Sequence, residues 1–200
     1  MEIRNKRVLV LGGWGLVGSA VCRKFLHEAP DEIVIASLTE GEAREAITHL
    51  RKETQTDLRL TPCWGNIFVS DALQGKSRAE ILESELLRNL LIADVLDELG
   101  EDVLTRSWLY QILEKYRPHL IVDCVNSATA LAYQDVFASY YRVKSRLGRF
   151  KAQQQYDASF ISELEKLLCT LYIPQLIRHV QILYESMRRF RTEVYCKVGT

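Results

Sequence analysis

The feature that most constrains this chain is Gly12-Gly13-Trp14-Gly15-Leu16-Val17-Gly18, set between the apolar run Val8-Leu9-Val10-Leu11 and the segment Ser19-Ala20-Val21-Cys22-Arg23-Lys24-Phe25-Leu26. A short β-branched run reads as a buried parallel strand, and Val17, Val21 and Leu26 mark the apolar side of a helix. The glycines therefore occupy a strand-to-helix turn. Glycine lets the backbone turn sharply and approach a phosphate, while the free N–H groups and positive dipole end of the new helix face the anion. A glycine-rich turn without a ligand is the competing reading, and the placement between strand and helix weighs against it.

Downstream, Glu28-Ala29-Pro30-Asp31 breaks the helix and Ile33-Val34-Ile35-Ala36 supplies a second buried strand. A helix follows from about Glu42 to Lys52, with Ala43, Ala46, Ile47 and Leu50 on one face. A third strand at about Leu58 to Cys63 runs into Trp64-Gly65-Asn66-Ile67-Phe68. The stretch 71–118 is too long for an ordinary crossover and predicts two helices. The first is capped by Ser77-x-x-Glu80, carries Leu82, Leu86 and Leu90 in register as core and stops at Gly100; the second runs from about Val103 to Tyr116. Leu120-Ile121-Val122-Asp123-Cys124 gives a fourth strand ending in small and polar residues, and 133–190 is helical with a break at Pro174. Thr192 to Thr200 alternates as a fifth strand.

Two glycine spacings coincide in the first turn. Gly13-x-Gly15-x-x-Gly18 is the general dinucleotide fingerprint, and Gly12-x-x-Gly15-x-x-Gly18 resembles the short-chain dehydrogenase/reductase superfamily, especially its extended and atypical, epimerase/dehydratase-like branches. Gly65-Asn66-Ile67 looks like the superfamily's adenine-flanking element, and Val125-Asn126-Ser127-Ala128 like its fourth-strand segment beside the ribose and nicotinamide. A simple loop and a strand end with a helix cap are the alternatives at those two places. The resemblance implies an α/β fold: a doubly wound parallel (Rossmann) sheet in the order 3-2-1-4-5, with helical insertions after strands 3 and 4. It implies a nicotinamide dinucleotide held by Gly12, Gly13, Gly15, Leu16, Val17, Gly18, Ser37, Asn66, Ile67, Val125, Asn126 and Ser127.

At the end of the second strand, where a carboxylate would read a ribose 2′-hydroxyl, the chain has Ser37-Leu38-Thr39. These residues, with Arg44 nearby, tilt the cofactor towards NADP over NAD, although Glu40 and Glu42 pull the other way. The resemblance implies an oxidoreductase or epimerase/dehydratase acting on a carbonyl, alcohol or sugar-type small molecule. A non-catalytic nucleotide-binding or scaffold protein of the same fold is the alternative. Tyr140-x-x-x-Lys144 has the spacing of the superfamily's proton-transfer pair but precedes the fifth strand instead of following it. Thr200 is the nearest match to its substrate-binding Ser/Thr. The catalytic residues are thus unassigned, and 1–200 reads as one cofactor-binding domain cut at its C-terminal end and inactive as it stands.

Composition narrows the partners. The chain has 26 basic and 26 acidic residues and 48% hydrophobic content, enough for a proper core and without the charge bias of a nucleic-acid or anionic-membrane binder. Arg142, Lys144, Arg146, Arg149 and Lys151 read as a solvated face. Cys22, Cys63, Cys124, Cys169 and Cys196 form no CxxC pair and read as buried, reduced thiols of a cytoplasmic protein. The four histidines lack metal-ligand spacing, so no metal is expected. Arg4, Lys6 and Arg7 before an apolar stretch imitate an export signal, but glycines interrupt that stretch. No run is long enough to span a membrane, and the inserted helices offer a surface for homo-oligomerisation.

Overall fold

The computed structural model describes residues 2–54, 57–126, 136–153 and 158–199, with side chains in the helix over 136–153 described for 137–147. Among the described residues, five parallel strands form one sheet in the order β3-β2-β1-β4-β5. They are β1 (Arg7–Leu11), β2 (Glu32–Ser37), β3 (Arg59–Trp64), β4 (Leu120–Asp123) and β5 (Val194–Lys197). The central β1 pairs with β2 through Arg7 to Leu11 and with β4 through Val8 to Leu11. Pro62 falls in β3, an edge strand, where a missing N–H can be tolerated. The chain is thus an α/β doubly wound fold with the predicted strand order.

Side chains alternate across this sheet because successive Cβ atoms of a strand point to opposite faces. Val8, Val10, Ile33, Ile35 and Val122 pack against Cys22 of α1 (Leu16–Leu26) and Ala46 and Leu50 of α2 (Glu40–Thr54). Leu9, Leu11, Val34 and Ile121 pack on the other face against helices from the later chain. Burying each such side chain fully contributes about 1.5–3 kcal/mol relative to leaving it in water.

The stretch 71–118 holds four helices where the sequence predicts two: α3 (Arg78–Glu83), α4 (Glu85–Leu96), α5 (Glu101–Arg106) and α6 (Trp108–Tyr116). Two serines make the extra breaks. Ser84 adopts extended backbone and its Oγ accepts from Leu87 N, starting α4; Ser107, also extended, bridges to Ser70. The predicted capping box forms, with Ser77 Oγ accepting from Glu80 N at 3.2 Å and Glu80 Oε2 from Ser77 N at 2.7 Å. Gly100 precedes α5 instead of ending α4, which stops at Leu96. Leu82 and Leu90 pack around a separate small core of Leu73, Ile81, Leu91 and Cys169, but Leu86 is 78% exposed and is not core. The break at Ser84 restarts the helical phase, so the spacing of 82, 86 and 90 spans two helices.

The last helices are α7 (Val136–Gln153), α8 (Ala158–Leu168) and α9 (Tyr172–Phe190). Pro174 sits in the first turn of α9, where its missing N–H breaks no helical bond. The break falls just before it, at Cys169 to Leu171. α6 and α9 lie on the sheet face of Leu9 and Leu11, with Leu109, Leu113, Ile182 and Leu183 buried there. Among the described residues, no helix is long and apolar enough to cross a membrane.

Leu91→Ala should lower unfolding stability by about 2–5 kcal/mol, whereas Leu86→Ala should stay within about 0.5 kcal/mol of the parent in urea denaturation. Equal losses at the two positions would contradict the packing of this small core.

Candidate functional site

The glycine turn divides its work among four residues. Gly12 has φ +76° and, with Gly13, donates its N–H to the Ala36 carbonyl at 2.9 Å. A Cβ on Gly13 would lie 2.5 Å from Ile35 Cγ2, and one on Gly18 would overlap the Gly12 carbonyl. Gly13 thus makes room for a β2 side chain, and at Gly18 the turn and helix meet backbone to backbone. Gly15 differs: a Cβ there would meet only Gly12 O, at 3.3 Å, and its outer side is open. Gly15 also precedes the first turn of α1 with no side-chain cap, so the amides of Leu16, Val17 and Gly18, which have no intrahelical acceptor, begin an anion-facing helix end. Leu16 is 89% exposed there.

The ends of β2 and β3 are held in ways the sequence motifs do not announce. Ser37 is buried, and its Oγ accepts from Trp14 N at 3.2 Å, tying β2 to the glycine turn. Glu42 Oε2 accepts from both Leu38 N and Thr39 N at 3.1 Å, while Thr39 Oγ1 accepts from Glu42 N. This is a capping box for α2. Arg44 pairs with Glu40 at 2.7 Å and lies over the Trp64 ring, so it is already engaged. Gly65 has φ +136°, and a Cβ there would overlap the Trp108 indole, whose Nε1 donates to Trp64 O at 3.1 Å. Gln74 clamps Asn66 on both sides, accepting from its N–H at 2.8 Å and donating to its carbonyl at 2.9 Å. Asn66 Oδ1 in turn accepts from Phe68 N at 3.0 Å. Trp108 and Gln74 both come from the 71–118 excursion; a tryptophan or glutamine in a helical stretch carries no signal of that role.

The end of β4 converges on the glycine turn as expected. A Cβ on Gly12 would lie 3.2 Å from Cys124 C and Val125 N. Asp123, 2% exposed, accepts from Val125 N through Oδ1 at 2.9 Å. Its Oδ2 pairs with Lys197 at 3.1 Å and accepts from Tyr195 OH at 2.8 Å, and Lys197 Nζ also donates to the Val125 carbonyl. Both backbone groups of Val125 are therefore fixed by one ion pair, between the buried Asp123 and the half-buried Lys197. Burial, reinforced by the Asp123 charge, pushes the Tyr195 phenol well above its usual range, the wrong direction for a base.

Gly12, Ser37, Asn66, Ile67 and Val125 line a single cavity of about 670 Å³ at the carboxyl edge of the sheet. Gly13, Gly15, Leu16, Val17 and Gly18 form the adjoining turn outside that lining, Asn126 follows Val125 at the surface, and Ser127 and Thr200 lie outside the described residues. The outer wall carries Lys76, Arg78 and Arg142 and, among the described lining residues, no carboxylate. Arg78 Nη2 donates to the Cys169 carbonyl at 2.5 Å, and Arg142 pairs with Glu163 at 3.0 Å. From α7 it is Ser139 and Arg142 that reach the cavity, whereas Lys144 Nζ sits 5.7 Å over the Tyr140 ring and misses its hydroxyl.

All five cysteines are free, and burial pushes the Cys22 thiol up to about 12 and the Cys63 thiol up to about 11. Cys196 is exposed, so the thiols are not uniformly buried; it alternates with Tyr195 and Lys197 and faces away from the core. Among the described residues, no group of three or more His, Cys, Asp or Glu could hold a metal ion.

Against known proteins, the model of the NAD dependent epimerase/dehydratase family matches residues 8–147. No curated protein sequence matches. Among solved structures, the chain is similar to Pen from Bacillus thuringiensis, at 12% identity over all of this chain and 54% of that one, TM-score 0.40. It is similar to A-type ketoreductases from a modular polyketide synthase, at 17% identity over 92% of this chain and 36% of that one, TM-score 0.36. A third is L-sorbose reductase from Gluconobacter frateurii, at 11% identity over all of this chain and 97% of that one, TM-score 0.37. The chain spans about half the length of the first of these and about a third of the second.

Lys197→Met leaves Asp123 buried without its counter-charge and should cost on the order of 3 kcal/mol. Adding Asp123→Asn should recover part of that loss in a double-mutant cycle read by chemical denaturation. A purely additive cycle would mean that the two residues do not act as a pair.

Proposed function

The chain belongs to the NAD dependent epimerase/dehydratase family, and on that premise we propose that it binds a nicotinamide dinucleotide across the carboxyl ends of β1, β2, β3 and β4 for hydride chemistry on a small carbonyl, alcohol or sugar-type substrate. The observation that carries this reading is the convergence of four strand ends on one cavity beside an open helix N-terminus. The residues fit the group. Gly15 leaves its outer side clear for a pyrophosphate, the first amides of α1 face that side, and Asn66 and Ile67 lie where an adenine edge would rest. Val125, held by Asp123 and Lys197, forms the opposite wall beside the nicotinamide end. When bound, the cofactor supplies the hydride donor or acceptor. The cations on the outer wall favour a substrate with an anionic group, and the free thiols accord with a cytoplasmic protein.

We further propose that NAD is preferred over NADP, reversing the tilt suggested by Ser37 and Arg44. Ser37 is buried with its Oγ accepting from Trp14 N, and Arg44 is paired with Glu40, so neither brings a free cation to a 2′-phosphate. The two amides that could cradle one already face the Glu42 carboxylate, which repels phosphate.

Gly15→Val should leave the fold intact and weaken NADH binding at least tenfold in calorimetry, since the added side chain occupies the open side of the turn. Unchanged affinity in a folded variant would place the pyrophosphate elsewhere. In the parent protein NADH should bind more tightly than NADPH. Glu42→Gln, which removes the charge and keeps an acceptor, should improve NADPH binding roughly tenfold relative to NADH. Tighter NADPH binding by the unaltered protein would refute the assignment of Glu42.

A further inference from the structure

Away from the large cavity, five buried side-chain atoms among the described residues have no hydrogen-bond partner: Ser70 Oγ, Asp94 Oδ2, Arg178 Nε and Nη1, and His179 Nδ1. Their residues are all more than nine-tenths buried, and all four line one cavity of about 20 Å³ enclosed by α4, α9 and the Ser70–Ser107 bridge. An unmade hydrogen bond on a buried group costs about 1–3 kcal/mol. Four residues with such groups around one space mark a place shaped to hold a small polar guest.

The donors and acceptors define that guest. Asp94 uses Oδ1 on Arg106, at 2.6 Å, and presents Oδ2 to the cavity. Arg178 uses Nη2 on the carbonyls of Val95 and Asp97, which leaves the Nη1 amino group and, on the other edge of the guanidinium, the Nε–H without a protein partner among the described residues. His179 is held neutral by burial, and its ring already bonds the Ile67 backbone, so Nδ1 is a bare lone pair. The cavity therefore offers two acceptors, the Arg178 amino donor and a serine hydroxyl that can serve as either. A metal or ammonium ion would lie against the Arg178 guanidinium. A halide would face the Asp94 carboxylate and the imidazole lone pair. Water has two protons and two lone pairs, and the volume exceeds the roughly 10–15 Å³ that one molecule needs without admitting much more.

We propose that this cavity is a structural water site, in which one molecule donates to Asp94 Oδ2 and His179 Nδ1 and accepts from Arg178 Nη1 and the Ser70 hydroxyl. The water joins α9 to α4 directly behind Ile67, Phe68 and Val69, three residues that also line the large cavity. Phe68 packs on the His179 ring at 4.6 Å, so the site backs the wall that β3 presents to a ligand.

A high-resolution crystal structure of the protein should show a single oxygen peak within roughly 3 Å of Asp94 Oδ2, His179 Nδ1 and Arg178. In solution, oxygen-17 relaxation dispersion should count one long-lived internal water fewer in His179→Phe than in the parent, with folding verified by circular dichroism. The proposal is overturned by direct pairing of Asp94 Oδ2 with Arg178 across a closed gap, or by an anomalous peak at the site in bromide-soaked crystals. An unchanged water count in folded His179→Phe would overturn it as well. Should that variant fail to fold, the parent's density alone still decides.

Discussion

The rest of the structure depends on the contact between the backbone of the glycine turn and the first turn of α1, where Gly18 stands so close to the Gly12 carbonyl that no Cβ fits between them. That contact fixes the angle at which α1 leaves β1, and hence the direction of its first amides. It also leaves the Gly12 backbone free to meet Cys124 and Val125 of β4 on one side while Gly12 and Gly13 bond Ala36 of β2 on the other. One turn thus ties three neighbouring strands together at their carboxyl ends. Because a parallel sheet opens at that edge, the same packing constraint that stabilises the fold creates the crevice.

Strand identity, order and the location of this crevice were legible because they rest on local patterns. Buried β-branched runs, a glycine turn and a late fourth strand each have a chemical cause within a few residues. The excursion was less legible. Ser84 and Ser107 look like ordinary helix residues; Ser84 becomes a break by capping Leu87 N, and Ser107 through its bridge to Ser70. Leu86 illustrates the cost: a spacing that reads as one helical face becomes, after a break at Ser84, a side chain in water. Pro174 misled in the opposite way, because a proline that seems to end a helix is equally suited to begin one.

The same division runs through the candidate site. Gly12, Ser37, Asn66, Ile67 and Val125 were identifiable by position and do line one cavity. The groups that hold them were not, since Gln74, Trp108 and Lys197 lie between 8 and 72 residues from the backbone they bond. Ser37 shows what a strand-end reading leaves out: its Oγ accepts from Trp14 N and so ties β2 to the glycine turn. What a strand-end side chain does depends on which backbone amides need an acceptor, and that follows from the fold.

These supporting contacts are unevenly distributed. The ends of β1, β2 and β4 are held by backbone contacts, by a local capping box and by the Asp123–Lys197 ion pair. The end of β3, an edge strand with one neighbour, has one backbone bond to that neighbour, from Gly65 N to Ser37 O. It leans on the excursion through Gln74 and Trp108 and on α9 through the Phe68–His179 stack. A sheet edge cannot fix its own loop with one row of ladder bonds, so helices packed outside the sheet must do it. The excursion accordingly positions the Gly65 to Val69 wall of the cavity while its cations face the same space from outside. Its two roles follow from one placement: helices that brace an edge strand at its carboxyl end cannot avoid also becoming part of the mouth.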